Sequence, residues 1–383
     1  MKTLKTLALI CLGAFLFVGC NPDNGDENDG TKGLILKADN YEIYDNGGAD
    51  EHGIATFRLT FNGQPVTEGY TIYDENDNPI MGNTFSSTEI GYYEFWAEYG
   101  AAITKTNIGI TVVATPPAAP AAPVDNNPTK LNFNRRILLT QFTGLGCGNC
   151  PRMINALDDV KKDENLKNKI VISSAHIGGY AGKDPAAMTT ELNLDDAFAI
   201  VYNPDLIADF KRHNDDAATA SKAYISKMIN DALSRVNTRG GVAVNSEYHA
   251  DKNYIVLTAL VKAAETTDFR IGAILLENNI RGAQSNYGIT PNEGVDFNNH
   301  NNCIRRIKSQ HPDNRDDFSG YDLGTIEAGK TKTYEFAFQV SKTWKVEDLH
   351  VVVFISTKEG KMWYVNNVVD AAINGTTDFE YTE

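Results

Sequence analysis

The chain has 383 residues, 42% of them hydrophobic, with 50 acidic against 35 basic side chains and a formal charge of −15. That length exceeds one ordinary domain, so two or three cores are expected. No basic cluster is present to neutralise phosphates, which argues against a nucleic-acid partner; an acidic surface of this kind chiefly serves solubility.

The first nineteen residues, MKTLKTLALICLGAFLFVG, carry Lys2 and Lys5, then a short apolar run, then small residues. This is the make-up of a secretory signal, its apolar run too brief to span a membrane comfortably. Phe17-Val18-Gly19-Cys20 resembles a bacterial lipobox, which implies that Cys20 becomes the lipidated first residue and ties the chain to a membrane. Each buried CH2 of such a lipid contributes roughly 0.8 kcal/mol, so several chains together hold firmly. Residues 20–32 are acidic and lack a side chain large enough to pack, as expected of a flexible tether. An acidic run at this place also resembles the surface-export signal of Bacteroidetes-type lipoproteins; the plain alternative is a solvated linker. Without Lys2 and Lys5 the mature chain holds 33 basic against 50 acidic residues, a charge of −17. Of five cysteines, Cys11 leaves with the signal and Cys20 takes the lipid. Disulfides persist in exported proteins, and the spacing pairs Cys147 with Cys150, which leaves Cys303 as the odd thiol.

Residues 33–114 read as strands. IATFRLTF and YYEFWAEY alternate large apolar with polar residues, and Tyr93, Phe95, Ala97 and Tyr99 share a face. DNGG, FNGQ and DENDNP mark turns between the runs. An antiparallel sandwich of immunoglobulin size is expected, and GYYEFWAEYG followed by NIGITVV resembles the last hairpin of a bacterial immunoglobulin-like module. His52 is the only histidine here and reads as a loop residue. Residues 115–128, TPPAAPAAPVDNNP, read as a semi-rigid polyproline spacer between domains.

Over 129–237 the pattern changes. RRILLTQFTG holds the continuous apolar run of a buried parallel strand. CGNC follows, then a helical stripe of Met153, Ile154, Leu157 and Val160. KIVISSAHI is a second buried strand, and GGYAGKDPAAMTTELNL a polar insertion. DDAFAIVYNPDLIADFKR gives a short helix, a proline and a strand with Leu206, Ala208 and Phe210 on one face. KAYISKMINDALSRV is an amphipathic helix striped by Ile225, Met228, Ile229, Ala232, Leu233 and Val236. Strand–helix alternation of this kind is an α/β pattern. From 238 to 383 strands return: a hairpin with Tyr254, Val256 and Thr258 on one face, then FRIGAILLE, TYEFAFQVS and a hairpin turning at Lys358–Lys361. A second, C-terminal antiparallel sandwich is expected.

The chemistry is concentrated in CGNC. A thiol attacks only as thiolate, and the start of a helix stabilises that charge. A CxxC after a buried strand puts Cys147 there, with Cys150 one turn in to resolve and Pro151 harmless in the first turn. The layout resembles thioredoxin-like redox centres. Such folds set a cis-proline beside the CxxC, and Asn203-Pro204 occupies that position in the order of elements. Cys147, Cys150 and Pro204 are thus the candidate catalytic set. Two departures, Gly146 for an aromatic and Asn149 for proline or histidine, leave open an inert structural disulfide. A metal site would need about four ligands, and no second CxxC is present; His176, His213 and Cys303 lack ligand spacing. No cofactor is called for. His176, at the strand's end, is a candidate proton carrier or a plain strand-end histidine.

ILLTQFTGLGCGNCPR and AFAIVYNPDLIADFKR, with GAILLENNIRGAQ and HNNCIRRI further on, resemble the Omp28-related outer-membrane lipoproteins of Bacteroidetes across roughly residues 130–380. The resemblance implies a lipid-anchored surface protein with a thioredoxin-like core and an exported or surface protein partner of no specified identity. Glu277, Gln284, His300 and Arg305 match its C-terminal pattern, and bonding within the β-domain explains them as well as a site would. Two functions stay open: thiol–disulfide exchange, or surface binding on a scaffold that the disulfide merely staples.

Overall fold

The computed structural model describes residues 33–177, 184–188, 194–212 and 219–382. The expected signal at 1–19, the tether at 20–32, the lipid site at Cys20 and the histidine at 213 lie outside the described residues. The described chain is a multidomain, β-rich protein.

The N-terminal domain is two facing sheets. One holds Leu34–Ala38, Ala55–Phe61, Gln64–Val66 and Thr84–Phe85; the other holds Glu42–Tyr44, Tyr70–Asp74, Gly91–Tyr99, Ala102–Ile103 and Ile108–Val113. Their alternating residues meet in a core that includes Leu36, Phe57, Leu59, Ile72, Phe95, Ala97 and Ile110. Tyr93 and Tyr99 share the expected face with Phe95 and Ala97 but are only partly buried. His52 lies exposed in a single turn of 3-10 helix, Glu51–Gly53.

The proline-rich segment that follows is packed down rather than free-standing. Proline lacks an N–H but keeps its carbonyl, and these carbonyls accept bonds from a sheet. Tyr254 Oη donates to Ala114 O, Asn245 Nδ2 to Ala121 O and Thr258 Oγ1 to Pro120 O. Lys262, 1% exposed, donates to Asp125 and to the carbonyls of Asn127 and Pro128. Tyr254, Val256 and Thr258 do share a face, and the segment 114–128 covers it.

One eight-stranded sheet crosses the expected boundary at 237/238. Its order is Asp205–Ala208, Ile137–Thr143, Ile170–His176, Cys303–Lys308, Thr267–Glu277, Leu349–Glu359 and Met362–Ala372, with Tyr321–Ile326 also on Thr267–Glu277. Ile137–Thr143 runs parallel to Ile170–His176 and antiparallel to Asp205–Ala208. The link across the boundary is the parallel pair Ser174 with Cys303. Residues from both sides, Phe142, Val171 and Ala175 with Ile274, Ile304 and Phe354, share one core. The division at 237/238 therefore does not separate two cores. On the opposite face Ile137, Leu139, Ile170 and Ile172 pack against two helices, Cys150–Lys161 and Lys222–Arg235.

Leu206 and Ala208 face these helices, but Phe210 does not join them as expected. Asp209 and Phe210 take left-handed backbone angles, φ 54° and 56°, and this turns Phe210 to the other core beside Ile207. Asp209 is fully buried. Its carboxylate accepts from Arg135 at 2.9 Å and Arg235 at 3.3 Å, and from the Leu138 N–H. Arg135 also donates to the Ala232 and Val236 carbonyls, closing the free C-terminus of the second helix. Val236, expected in that helix's stripe, is extended and lies past its end.

The remaining strands complete a C-terminal sandwich. A sheet of Thr331–Gln339, Tyr254–Ala263, Gly240–His249 and Gly375–Thr377 faces the long sheet over Ile255, Leu257, Phe269, Leu275, Phe338 and Val353. The last hairpin turns at Gly360, whose φ of +64° suits a residue without Cβ.

Candidate functional site

The two strands under the CxxC change character along one face. At their start they present Ile137, Leu139, Ile170 and Ile172 to the helices. At their end the same face presents Gln141, Thr143, Ser174 and His176, in register as Gln141–Ser174 and Thr143–His176. The chain then leaves the first strand through Gly144–Asn149 and enters the helix at Cys150.

Cys147 and Cys150 form a disulfide, with S–S 2.06 Å and Cα–Cα 5.3 Å. The two sulfurs are not equivalent in setting. Cys150 is 0% exposed at the start of the helix, while Cys147 sits partly exposed in the preceding turn. Pro151 occupies the first helical turn as expected, and the N-cap Asn149 makes no side-chain capping bond. The Asn203–Pro204 bond is cis, and Asn203 Nδ2 donates to the Thr143 carbonyl at 3.4 Å. Cys147, Cys150, Asn203 and Pro204 therefore converge at one end of the sheet.

His176 joins them. It is 3% exposed, and its Nδ1 lies 2.8 Å from Asp184 Oδ2. The same oxygen accepts the Leu145 N–H, so the carboxylate links the histidine to the CxxC loop. Burial alone would raise the Asp184 pKa; the bonds from His176 and from the Leu145 and Ala186 N–H groups outweigh it and hold the carboxyl below its ordinary range. His300 stacks edge-on to His176, with ring centroids 4.9 Å apart, and its Nε2 meets the Gly282 carbonyl. Burial, and then the neighbouring His176, lower the His300 pKa.

Arg305 is not part of this cluster. It pairs with Glu277 at 2.6 Å, both buried, and lies over Trp344. Its other bond, to the Pro185 carbonyl, steadies the segment that carries Asp184. Cys303 is a buried free thiol whose pKa burial pushes up, the setting of an inert cysteine. Among the described residues no group of three or more His, Cys, Asp or Glu is placed to hold a metal ion.

Asp184, Tyr287 and Asn292 are not legible in the sequence, while Gln284, which the family resemblance singles out, bonds the CxxC loop rather than staying within the β-domain. Residues 282–293, a strap from the C-terminal half, run over the CxxC loop and down its helix. Ser285 N–H bonds Leu145 O and Tyr287 N–H bonds Gly148 O. Gln284 Nε2 reaches the carbonyls of Gly144, Leu145 and Cys147 at 3.0–3.2 Å. Asn292 bonds Asn155, Asp158 and Asp159 on the helix. A Cβ at Gly148 would stand 2.4 Å from the Tyr287 ring, so the glycine is needed for this approach. Asp184 lies in the polar insertion and Tyr287 in a loop some 140 residues from the cysteines, as the 139-residue separation of Leu145 from Gln284 illustrates; no local pattern marks either. Beside the disulfide, a cleft of about 460 Å³ opens between Leu145–Gly146, Pro185 and Gly282–Ala283. Around the same loop Val201, Tyr202 and Tyr287 are 69%, 62% and 73% exposed.

Residues 208–377 match the family model described as outer membrane protein Omp28. No curated protein matches the chain. Among solved structures, HBP35 of Porphyromonas gingivalis is similar at 19% identity, over 63% of this chain and 76% of that one, with a TM-score of 0.48. A domain of the outer membrane lipoprotein Omp28 from Porphyromonas gingivalis is similar at 17% identity, over 36% of this chain and 89% of that one, with a TM-score of 0.23. Neither TM-score reaches 0.5. The likeness to that family covers residues 208–377, less than half of the chain, and it supports an outer-membrane location.

Proposed function

We propose that the protein is a lipid-anchored thiol–disulfide exchanger of the outer membrane. It is held by lipid on Cys20 with its body toward the cell surface. Its 129–237 segment is thioredoxin-like, behind an immunoglobulin-like N-terminal module. The observation that carries the reading is the asymmetry of the pair: Cys147 partly exposed, Cys150 buried. Exchange requires one sulfur open to attack and a second kept back to resolve.

With an exported dithiol protein as partner, one partner thiolate attacks Cys147 Sγ. The Cys147–Cys150 bond breaks, a mixed disulfide forms and Cys150 leaves as thiolate. The partner's second thiolate attacks its own sulfur in the mixed disulfide and releases Cys147. The partner loses two electrons and becomes a disulfide; the pair gains them and is the dithiol. With a partner disulfide and the reduced pair, every step reverses. The cleft beside Gly146 and the exposed Val201, Tyr202 and Tyr287 supply apolar surface for a polypeptide partner.

Titration of the pair in glutathione buffers tests this. A reduction potential of roughly −120 to −270 mV belongs to working oxidoreductases, and one below about −300 mV to stable structural disulfides. Cys150→Ser should also accumulate mixed disulfides through Cys147, and Cys147→Ser should not. A potential in the structural range with no trapped partner would overturn the reading. The second reading, a binding scaffold stapled by the disulfide, is favoured by one specific feature: the strap of 282–293 bonded across the CxxC loop.

A further inference from the structure

A small, partly open cavity that thiol exchange does not use lies under the CxxC helix. Its volume is about 80 Å³, and it lies between the CxxC helix, the strand ends and the turn at Asn299–Asn302. The polar strand ends described above form its floor, with Gln141, Thr143, Ser174 and His176 all lining it. Ile154 and Leu157 of the helix wall it, and His300 and the asparagines of the turn also line it.

Three observations bear on what it holds. First, Gln141 and Thr143 are 5% and 4% exposed, yet Gln141 Nε2 and Thr143 Oγ1 have no hydrogen-bond partner. Buried donors without partners are rare in folded proteins and cost about 1–3 kcal/mol each. Second, the lining contains a lysine and two histidines and no carboxylate. Asp158, the carboxylate whose charge Lys161 feels, is itself bonded by Lys162 at 2.7 Å and Asn292 at 3.0 Å. Third, the cavity lies at the carboxyl ends of two parallel strands, where open α/β sheets bind ligands. Its volume exceeds the roughly 30 Å³ that one water occupies in the liquid.

We infer that this cavity is a binding site for a small oxyanion, a carboxylate or phosphate group, held by Gln141 Nε2, Thr143 Oγ1 and Lys161. The amide and hydroxyl are unpartnered donors lining the cavity, and Lys161 supplies the charge. Lys161 stands on the exposed last turn of its helix, so it can be changed without disturbing the core. The site stands whether or not the disulfide turns over, since it is complete with the disulfide closed.

The test uses the full oxidised chain and reads binding, not redox activity. Inorganic phosphate and acetate are titrated separately by NMR, following the Gln141 side-chain amide, with acetamide as the neutral control. One or both anions should shift that amide saturably and acetamide should not; which anion binds more tightly tells phosphate from carboxylate. Lys161→Met should weaken binding about tenfold or more, the loss of one charge-assisted bond, and Thr143→Val should weaken it further. The inference fails if neither anion shifts the amide at millimolar concentration, if acetamide binds equally, or if Lys161→Met leaves the affinity unchanged. The first of these would mean a cavity filled by water alone, the second a site without preference for charge, and the third that Lys161 does not hold the anion.

Discussion

Two irregular segments of this chain lie flat on regular structure, and they do so by opposite chemistry. The proline-rich 114–128 offers carbonyls, and the sheet beneath supplies the donors, ending in the buried Lys262–Asp125 pair at 2.7 Å. The strap of 282–293 offers side-chain amides, Gln284 and Asn292, and the CxxC loop and helix supply the acceptors. The first anchor is a charge out of water, which cannot be left alone. The second is a set of amide bonds at a half-exposed surface, to backbone carbonyls from Gln284 and in part to the Asp158 and Asp159 carboxylates from Asn292, with no buried charge among the donors. One segment is therefore part of the sandwich, while the other lies across the CxxC loop and its helix through amide bonds.

The largest effect should come from the first segment. Asp125→Ala leaves the Lys262 ammonium buried and unpaired, and should cost about 3–5 kcal/mol in denaturant unfolding. A loss under about 1 kcal/mol, the range of surface pairs, would mean that the segment is not anchored by this charge. Next, Gln284→Ala should cost only about 0.5–1.5 kcal/mol in stability, yet speed the reaction of the Cys147–Cys150 disulfide with a small dithiol. Unchanged reactivity together with a large stability loss would put the strap in the same class as the proline-rich segment.

The smallest effect is a pH dependence. The His300 pKa is lowered in the folded state by burial and by His176, from an ordinary 6.5. The unfolded chain then binds the proton more readily, so this contribution is present in full above about pH 6.5 and is lost as pH falls through the folded value. Stability should decline on acidification below neutrality, and His300→Gln should flatten that decline. Asp184, also held low, adds to the loss only at more acid pH, by the same sign. A profile indifferent to His300→Gln would remove the histidine from the coupling.

Much of this architecture is legible in the residues. Period-two alternation located the strands of both sandwiches, since a strand buries every second side chain. The run Ile137-Leu138-Leu139 announced a strand covered on both faces, and it is buried on both. CGNC placed a disulfide at a helix start because three-residue spacing brings the sulfurs together locally. The prolines of 115–128 announced an extended chain, but not that a sheet would satisfy its carbonyls, because the donors lie some 120–140 residues further on. The break at Asp209–Phe210 was hidden for a similar reason: two arginines from distant elements hold that turn.

The sequence by itself determined the long alternating or apolar strands, the two long helices and the cysteine pair, all products of short-range spacing, but not the strands Cys303–Lys308 and Tyr321–Ile326. The tertiary structure alone decided that one sheet would run through both halves of the body, that Gln284 and Asp184 would grip the CxxC loop, and that polar strand ends would line a cavity. These depend on pairing between residues far apart in the chain, such as Ser174 with Cys303, and no local pattern records which distant partner a buried polar group will find.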